Sequence, residues 1–210
     1  MIRTAAWFCT EHHGLYAPLN KSWQQPSPSL SATAEIPALI GRPVKYYARM
    51  TAETRYCLCS ASIALKSAGW DSKAIEIGLL SAGSDGCAHA NEEYFRDYVA
   101  NGRTLGRGNL FIYTLPTSAL GEVAIALSLT GPSIFLHDPT QPLACLNRTA
   151  EQIISDGEAT GMLALWSDAS AAVCLAIDRG QSPDSIESLA TNQSNPLQLC
   201  QKLQQLVRQA

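Results

Sequence analysis

Clustered positive charge is missing from this chain: only 16% of its 210 residues are charged, and no run of Lys or Arg occurs. With a net charge of only -3 at pH 7, the composition argues against nucleic acid as the main ligand. An uninterrupted apolar stretch of about 18 residues is also missing, which argues against a membrane span. The opening MIRTAAWFCTEHHG has an apolar stretch too short for a signal peptide, so we expect a cytoplasmic protein.

Metal-binding motifs are missing as well. The four histidines and seven cysteines match no known ligand spacing, and an odd number of irregularly spaced cysteines favours reduced thiols. Cys57 and Cys59 lie two apart in a helical pattern, where side chains point about 200° apart and do not easily share one ion. We therefore expect no metal and no cofactor, and we interpret these cysteines as small apolar core residues.

Apolar residues, by contrast, are plentiful: 46% of the chain is hydrophobic, which is enough for one domain with a sizeable core. Apolar runs typical of strands occur at 2–9, 74–83, 134–136, 161–166 and 171–177. Helical patterns separate several of these runs. Strands that alternate with helices in this way predict an α/β layered fold.

Capping residues mark the ends of the predicted helices. Thr51 is a fair N-cap and Gly69 a fair C-terminal stop for one helix, Pro116 opens another, and Asn195 caps a last helix over 196–209. The segment NEEYFRDYVANG also reads as a short helix. A further helix carries an apolar stripe, made of Leu143, Leu146, Ala150, Ile153 and Ile154. Segments 20–43 and 178–195 show little periodicity and are predicted to be loops.

The stretch GPSIFLHDPTQPLACLNRTAEQIISDGEA, residues 131–159, has the frame of a catalytic site. A Gly-Pro turn leads into an apolar strand, then a short junction, then an amphipathic helix that Gly157 closes. A nucleophile belongs at that junction. The junction instead reads His-Asp-Pro-Thr-Gln-Pro, residues 137–142, with no Cys and no Ser.

Residues 45–167 resemble the N-terminal half of a β-ketoacyl synthase, a condensing enzyme of the thiolase-like superfamily. Four segments carry the resemblance: ARMTAETRYCLCSASIALKSAGW, IGLLSAGSDG, LPTSALGEVAIALSLTGPS and IISDGEATGMLALW. The resemblance implies a thiolase-like layered fold, with helices packed on a mixed β-sheet, in a single domain over 1–210.

The same resemblance places the family's catalytic cysteine at Thr140, with Gln141 beside it. A Thr hydroxyl without a paired base is a poor acyl acceptor. From the chain's length we also expect the two catalytic histidines of the family's C-terminal half to be missing, and with them the groups that drive decarboxylation and stabilise the oxyanion. The chain is similar to chain-length factors, which lack the cysteine, and most similar in size to the short ones of bacterial aryl polyene systems.

A chain-length factor is not an enzyme but the partner of one. The resemblance therefore implies a heterodimer with a full-length β-ketoacyl synthase in polyketide or fatty-acid-like biosynthesis, with an acyl carrier protein reached through the complex. It implies a dimer interface at Ile134, Phe135 and Leu136. It implies an acyl tunnel lined by Asp85, His89, Glu93, Leu110 and Phe111. The polar residues at 85, 89 and 93 either close the tunnel, or face a conjugated polyene, or indicate that the register slips there.

Two other functions stay open at this point. The first is a Cys-dependent acyltransferase or hydrolase that uses Cys87 or Cys145 with a histidine. Cys87 and His89 lie two apart after a strand, but side chains so close in sequence rarely face each other correctly, and a thiolate needs an electropositive site. The second is a stand-alone acyl-binding module with no ketosynthase partner.

Overall fold

The computed structural model describes residues 2–17, 22–30, 35–72, 75–83, 87–180 and 193–209. Across these residues seven strands form one sheet in the order β3-β2-β1-β7-β6-β4-β5. The strands are β1 (Ile2–Cys9), β2 (His12–Tyr16), β3 (Trp23–Pro26), β4 (Ile77–Gly83), β5 (Ser133–His137), β6 (Gly161–Ser167) and β7 (Ala171–Ile177).

The sheet is mixed, as the resemblance implies. Strand β4 lies parallel to β5 and to β6, whereas the other neighbouring strands are antiparallel. Parallel neighbours need long crossovers, which helices supply, whereas antiparallel neighbours need only a tight turn. The β6–β7 turn is held by Asp168, whose Oδ1 accepts the N–H groups of Ser170 at 2.7 Å and Ala171 at 3.1 Å.

Helices cover both faces of the sheet. They are α1 (Glu35–Ile40), α2 (Ala52–Ala68), α3 (Ala88–Ala100), α4 (Gly108–Phe111), α5 (Ser118–Leu127), α6 (Pro142–Ser155) and α7 (Pro196–Gln209). In β1, Ala6 and Phe8 belong to the core cluster with α2 and α5, while Trp7 and Cys9 belong to the cluster with α6 and α7. A strand buried on both faces explains why the strand runs are continuously apolar.

The helix ends follow the predicted caps. Thr51 Oγ1 accepts the N–H of Thr54 at 3.2 Å where α2 begins, and Gly69, at φ 68°, ends it. Asn195 Oδ1 accepts the N–H of Gln198 at 2.9 Å where α7 begins. All five residues of the predicted α6 stripe are buried. Helix α5 begins at Ser118, two residues after the Pro116 that was predicted to open it.

The prediction of a loop over 20–43 is wrong for part of that segment. It contains β3, a strand at the sheet edge with no fully buried residue, and α1, a helix with only Ile36 and Ile40 buried. An edge strand needs no apolar alternation, and six residues are too few to show a helical period. Strand β2 was missed as well. In the predicted loop 178–195, residues 181–192 lie outside the described residues, and the flanking ones belong to no helix or strand.

Within the described ranges, no single helix is long and apolar enough to cross a membrane, although the bent pair Gly108–Thr114 and Ser118–Leu127 meets the length and composition limits together. No group of three or more His, Cys, Asp or Glu side chains among these residues is placed to hold a metal ion.

Cys57 and Cys59 are fully buried in α2, as predicted. Burial raises the pKa of the Cys59 thiol to about 12, so it stays protonated.

Candidate functional site

A cavity of about 180 Å³ lies where the start of α2, the start of α3 and α5 meet the sheet. Strands β4, β5 and β6 contribute Ser81, Phe135 and Ser167 to its lining. The remaining polar lining residues are Thr51, Glu53, Thr54, Cys87, His89, Glu93, Tyr113, Ser118 and Asp168. A volume near 150 Å³ holds one benzene-sized group, so the cavity accepts the end of a chain and not a whole cofactor.

The lining is acidic on one side. Glu53, in the first turn of α2, accepts a hydrogen bond from Ser167 Oγ at 2.8 Å, and Glu93 and Asp168 add two further carboxylates. Among the described lining residues there is no Lys or Arg. Glu53 and Ser167 are 114 residues apart in the chain. Sequence reasoning missed both of them, because only the folded sheet brings the start of α2 to the end of β6.

Two of the predicted tunnel residues line this cavity. His89 and Glu93 lie one turn apart on α3, with 3.4 Å between His89 Nε2 and Glu93 Oε1. Asp85 lies outside the described residues. The pairing of His89 with Glu93 gives the wall of the cavity a polar character that an apolar acyl chain does not match.

Leu110 and Phe111 are not among the residues that line the cavity. Both belong to α4, where the Phe111 ring packs edge-on against Tyr94 with 5.6 Å between centroids. The neighbouring Tyr113, Leu115 and Pro116 line the cavity instead. The chain from Leu110 passes from α4 into a 3-10 turn (Ile112–Thr114), and this path decides which side chains reach the cavity. A role for positions 110 and 111 in a tunnel therefore stays a prediction.

Tyr113 donates its hydroxyl to Glu122 Oε1 at 3.2 Å. Burial, and then the nearby Glu122 carboxylate, raise the pKa of Tyr113 to about 12. The phenol therefore stays neutral at the edge of the cavity and acts as a hydrogen-bond donor.

In the junction before α6, three hydrogen bonds converge on one carboxylate oxygen. Asp138 Oδ1 accepts the backbone N–H of Thr140 at 2.9 Å, the N–H of Gln141 at 2.8 Å and the Thr140 hydroxyl at 2.9 Å. The N–H of Gln141, and then the N–H and hydroxyl of Thr140, hold the pKa of the Asp138 carboxyl below its usual value. A carboxylate with a lowered pKa is a weak general base. The hydroxyl of Thr140 is thus exposed, hydrogen-bonded and without an effective base.

The two cysteine candidates lie in different surroundings. The Cys87 thiol donates to the backbone oxygen of Thr114 at 2.6 Å and receives a hydrogen bond from Asn91 Nδ2 at 3.1 Å. His89 shares the cavity with Cys87 but is paired with Glu93. Cys145 lies half-buried on α6 and is not among the cavity's lining residues. An acidic lining disfavours a thiolate.

One side of the molecule beside the cavity carries several exposed apolar side chains. Strand β5 ends the sheet and, among the described strands, pairs only with β4. Ile134 on β5 is 38% exposed, Phe95 on α3 63%, Phe111 on α4 53%, and Leu105 between the two helices 78%. None of the 13 residues of α3 is buried. We call β5 together with residues 88–115 the open surface.

Neither a protein-family model nor a curated protein sequence matches the chain. Solved structures do. The ishigamide ketosynthase/chain length factor aligns at a TM-score of 0.58 with 14% identity, over 86% of this chain and 62% of that one. A type II polyketide synthase ketosynthase bound to the hexaketide, in complex with its acyl-carrier protein, aligns at 0.55 with 13% identity, over 85% and 64%. A β-ketoacyl synthase from Burkholderia phymatum STM815 aligns at 0.54 with 13% identity, over 91% and 62%.

In each case this chain spans less than two thirds of the length of the structure that it matches. At 13–14% identity the agreement concerns the path of the backbone. The layered mixed sheet, its helices on both faces and these alignments together show that the chain has the thiolase-like fold of ketosynthases and chain-length factors.

Proposed function

We propose that this chain is a catalytically silent, ketosynthase-like subunit, a chain-length factor, which pairs with a full-length β-ketoacyl synthase and shapes its acyl tunnel. The observation that carries the proposal is the open surface, which lies directly beside the cavity. His89 and Glu93 on α3 and Phe135 on β5 line that cavity and belong to the open surface at the same time. A partner that covers the surface also closes the cavity.

The pairing rests on two features of the open surface. The outer edge of β5 presents backbone N–H and C=O groups that a partner strand satisfies by extending the sheet. The exposed Phe95, Leu105 and Phe111 supply apolar area of the kind that a stable partnership buries. Such permanent interfaces bury about 2,000 Å² or more in total, so the edge strand alone is too small and the α3–α4 segment is needed as well.

The catalytic silence rests on the junction before α6. Thr140 stands where the resemblance places the nucleophile, and its hydroxyl meets only the weakly basic Asp138 carboxylate. The backbone N–H groups of residues 140 and 141, which at a helix start are the natural donors to a developing oxyanion, are already bonded to Asp138. On this placement the junction has no cysteine, and the N–H groups of residues 140 and 141 are already occupied.

The tunnel role rests on the character of the cavity. A growing acyl chain gains about 0.8 kcal/mol for each CH₂ that it buries. Contact with the carboxylates of Glu53, Glu93 and Asp168 opposes that gain, because an apolar chain packed against a charged group displaces the water that solvates it. A small cavity with an acidic wall therefore ends elongation, and the wall residues set the length at which growth stops. An acyl carrier protein would deliver its substrate through the ketosynthase partner.

Co-expression with a full-length β-ketoacyl synthase from the same genome tests the proposal. We expect the two chains to co-purify as a heterodimer, or as a dimer of heterodimers, in size-exclusion chromatography with light scattering. We expect the chain alone to show no condensation of acyl groups. A chain that remains a well-folded monomer beside the ketosynthase contradicts the pairing and favours the stand-alone acyl-binding module.

The Cys-dependent acyltransferase or hydrolase makes a different prediction. A catalytic cysteine reacts unusually fast with iodoacetamide at neutral pH, because its thiolate is stabilised. Because its thiol donates to the Thr114 carbonyl oxygen and its surroundings are acidic, Cys87 should react more slowly than a free thiol. Rapid, selective labelling of Cys87 would favour the enzyme over the silent subunit.

A further inference from the structure

A second and larger cavity lies against α1, away from the first. Its volume is about 560 Å³, and it shares no lining residue with the 180 Å³ cavity. Its walls are mainly apolar and include Ile36, Pro37, Ile40, Val44 and Tyr47. Cavities of about 300 to 1,000 Å³ with apolar walls and a few polar groups are the usual form of small-molecule sites.

Arg55 is the charged residue in this lining. Its Nη2 donates to the backbone oxygen of Ala48 at 2.8 Å, and its guanidinium lies 5.1 Å from the Tyr47 ring centroid. Its Nε is buried and, over the described part of the chain, meets no acceptor. Nor does any described Asp or Glu lie within 4.0 Å of it. A half-buried guanidinium with an unsatisfied donor and no carboxylate partner is unusual in a folded protein.

The surroundings of Arg55 are positively charged. Between residues 42 and 55 there are four basic residues and a single acidic one, although the chain as a whole has a net charge of -3. Two of the basic residues, Lys45 and Arg49, lie over the ring of Tyr46, which lines the cavity, at 4.8 Å and 3.9 Å from its centroid. Arg49 has a carboxylate near it, Glu122, at 3.9 Å. The acidic residue, Glu53, instead accepts a hydrogen bond from Ser167 in the other cavity. The positive charge at this rim is therefore only partly neutralised by the protein itself.

We propose that this cavity binds a small amphipathic carboxylate, with its alkyl chain along Ile36, Ile40 and Val44 and its carboxylate on Arg55. A guanidinium offers two parallel N–H donors that fit a carboxylate, which a lysine does not. Burial of the alkyl chain supplies affinity, and Arg55 supplies selection for the anion. The site is separate from the acyl tunnel, and the proposal does not depend on a ketosynthase partner.

Isothermal titration calorimetry of the full chain with decanoate, below its micellar concentration, tests the site. We expect saturable binding, and an affinity at least about tenfold weaker for decan-1-ol, which has the same chain and no charge. Arg55→Gln should lower the decanoate affinity by about 10- to 100-fold and leave decan-1-ol binding unchanged. Arg148→Gln, on the exposed side of α6, is the matched control and should change neither.

Val44→Trp fills the cavity from a half-exposed wall position and should abolish binding of both ligands. Circular dichroism of each variant checks that it is folded. If Arg55→Gln does not fold, Val44→Trp decides whether the cavity is the binding site. Equal affinities for decanoate and decan-1-ol overturn the proposal, as does decanoate binding that survives both substitutions. Heterodimer formation with a ketosynthase is measured separately, so failure here leaves the proposed function standing.

Discussion

The side of the sheet covered by α6 and α7 differs sharply from the open surface. Helix α6 buries six of its 14 residues, whereas α3 buries none of its 13. On the outer side of α6, polar side chains bond to one another one turn apart: Asn147 donates to Glu151 at 3.1 Å, and Gln152 to Asp156 at 2.8 Å. We call this outer side of α6 and α7 the closed face.

The difference indicates which side of the molecule suits the proposed partner. The closed face leaves little apolar area exposed. Helix α7 packs Leu199, Cys200 and Leu203 onto the sheet, and the exposed residues beyond them are mostly polar. The exposed apolar residues are concentrated on the open surface instead. One side of the molecule is complete by itself, and the other is suited to association.

The largest effect should come from a substitution in the core beneath α6, and it should appear as a loss of stability. Leu146→Ala on α6 removes a fully buried side chain and should lower the free energy of unfolding by about 2 to 5 kcal/mol. Leu105→Ala, the same chemical change on the open surface, should alter it by less than about 0.5 kcal/mol. Urea denaturation of the isolated chain measures both. Similar losses at the two positions would mean that the open surface is part of the core.

The next largest effect should be on the affinity for the ketosynthase, so it appears only when that partner is present. Phe95→Glu places a charge in the apolar part of the open surface and should weaken binding to the ketosynthase at least about tenfold. Gln152→Glu places the same charge on the closed face and should change binding less than about twofold. Surface plasmon resonance with the immobilised ketosynthase measures both. Equal effects would show that the partner does not distinguish the two sides.

Product length should respond to the wall of the small cavity. His89→Ala enlarges it and should lengthen the products of the reconstituted pair, and Ala90→Leu narrows it and should shorten them. Overpacking a core-like site costs about 1 to 3 kcal/mol, enough to stop growth a cycle earlier. Leu110→Trp tests the predicted tunnel position that lies outside the cavity lining. Mass spectrometry of the products gives the distribution, and an unchanged distribution in all three variants would make the subunit a scaffold.

A smaller effect should appear at the junction before α6. Thr140→Cys places a thiol beside the Asp138 carboxylate, which raises a thiol's pKa by like-charge repulsion. The double change Thr140→Cys with Asp138→Asn should therefore alkylate several-fold faster with iodoacetamide at neutral pH. Neither variant should condense acyl groups. Equal alkylation rates would show that Asp138 does not control this position.

The smallest effect concerns pH and a histidine that packs against residues of the core cluster with α2 and α5. His13 is buried between Phe8 and Trp23, and burial lowers its pKa from the usual 6.5. The unfolded chain then takes up a proton at a higher pH than the folded one, so His13 makes stability fall as the pH drops below about 6.5. Urea midpoints on either side of that pH should differ less in His13→Phe than in the parent. The exposed His137→Gln is the control.

The sequence predicts regular elements better than it predicts the site. The stripe of α6 and the caps at Thr51 and Asn195 were found because their signals are local, within one or two helical turns. Strand β3 and helix α1 were missed because an edge strand and a six-residue helix carry no such signal. The contact between Glu53 and Ser167 has no sequence signature at all, since it depends on how α2 lies across the sheet.

The positions near the cavity show the same limit. His89 and Glu93 lie on α3 and line the cavity, so their role in an acyl tunnel stays a prediction. At segment 110–115 the chain turns from α4 into a 3-10 turn, and counting along the sequence does not reveal that change. The cavity is therefore lined by Tyr113 and Leu115, a few residues beyond Leu110.

Hydrogen–deuterium exchange of the chain, alone and with a full-length β-ketoacyl synthase, tests the central claim most directly. Amides at a newly paired strand edge and under a buried interface become protected, whereas amides on an uncovered face do not. We predict slower exchange in β5 and in residues 88–115 when the ketosynthase is present, and unchanged exchange in α6 and α7. Protection of α6 and α7 with none in β5 would contradict the account.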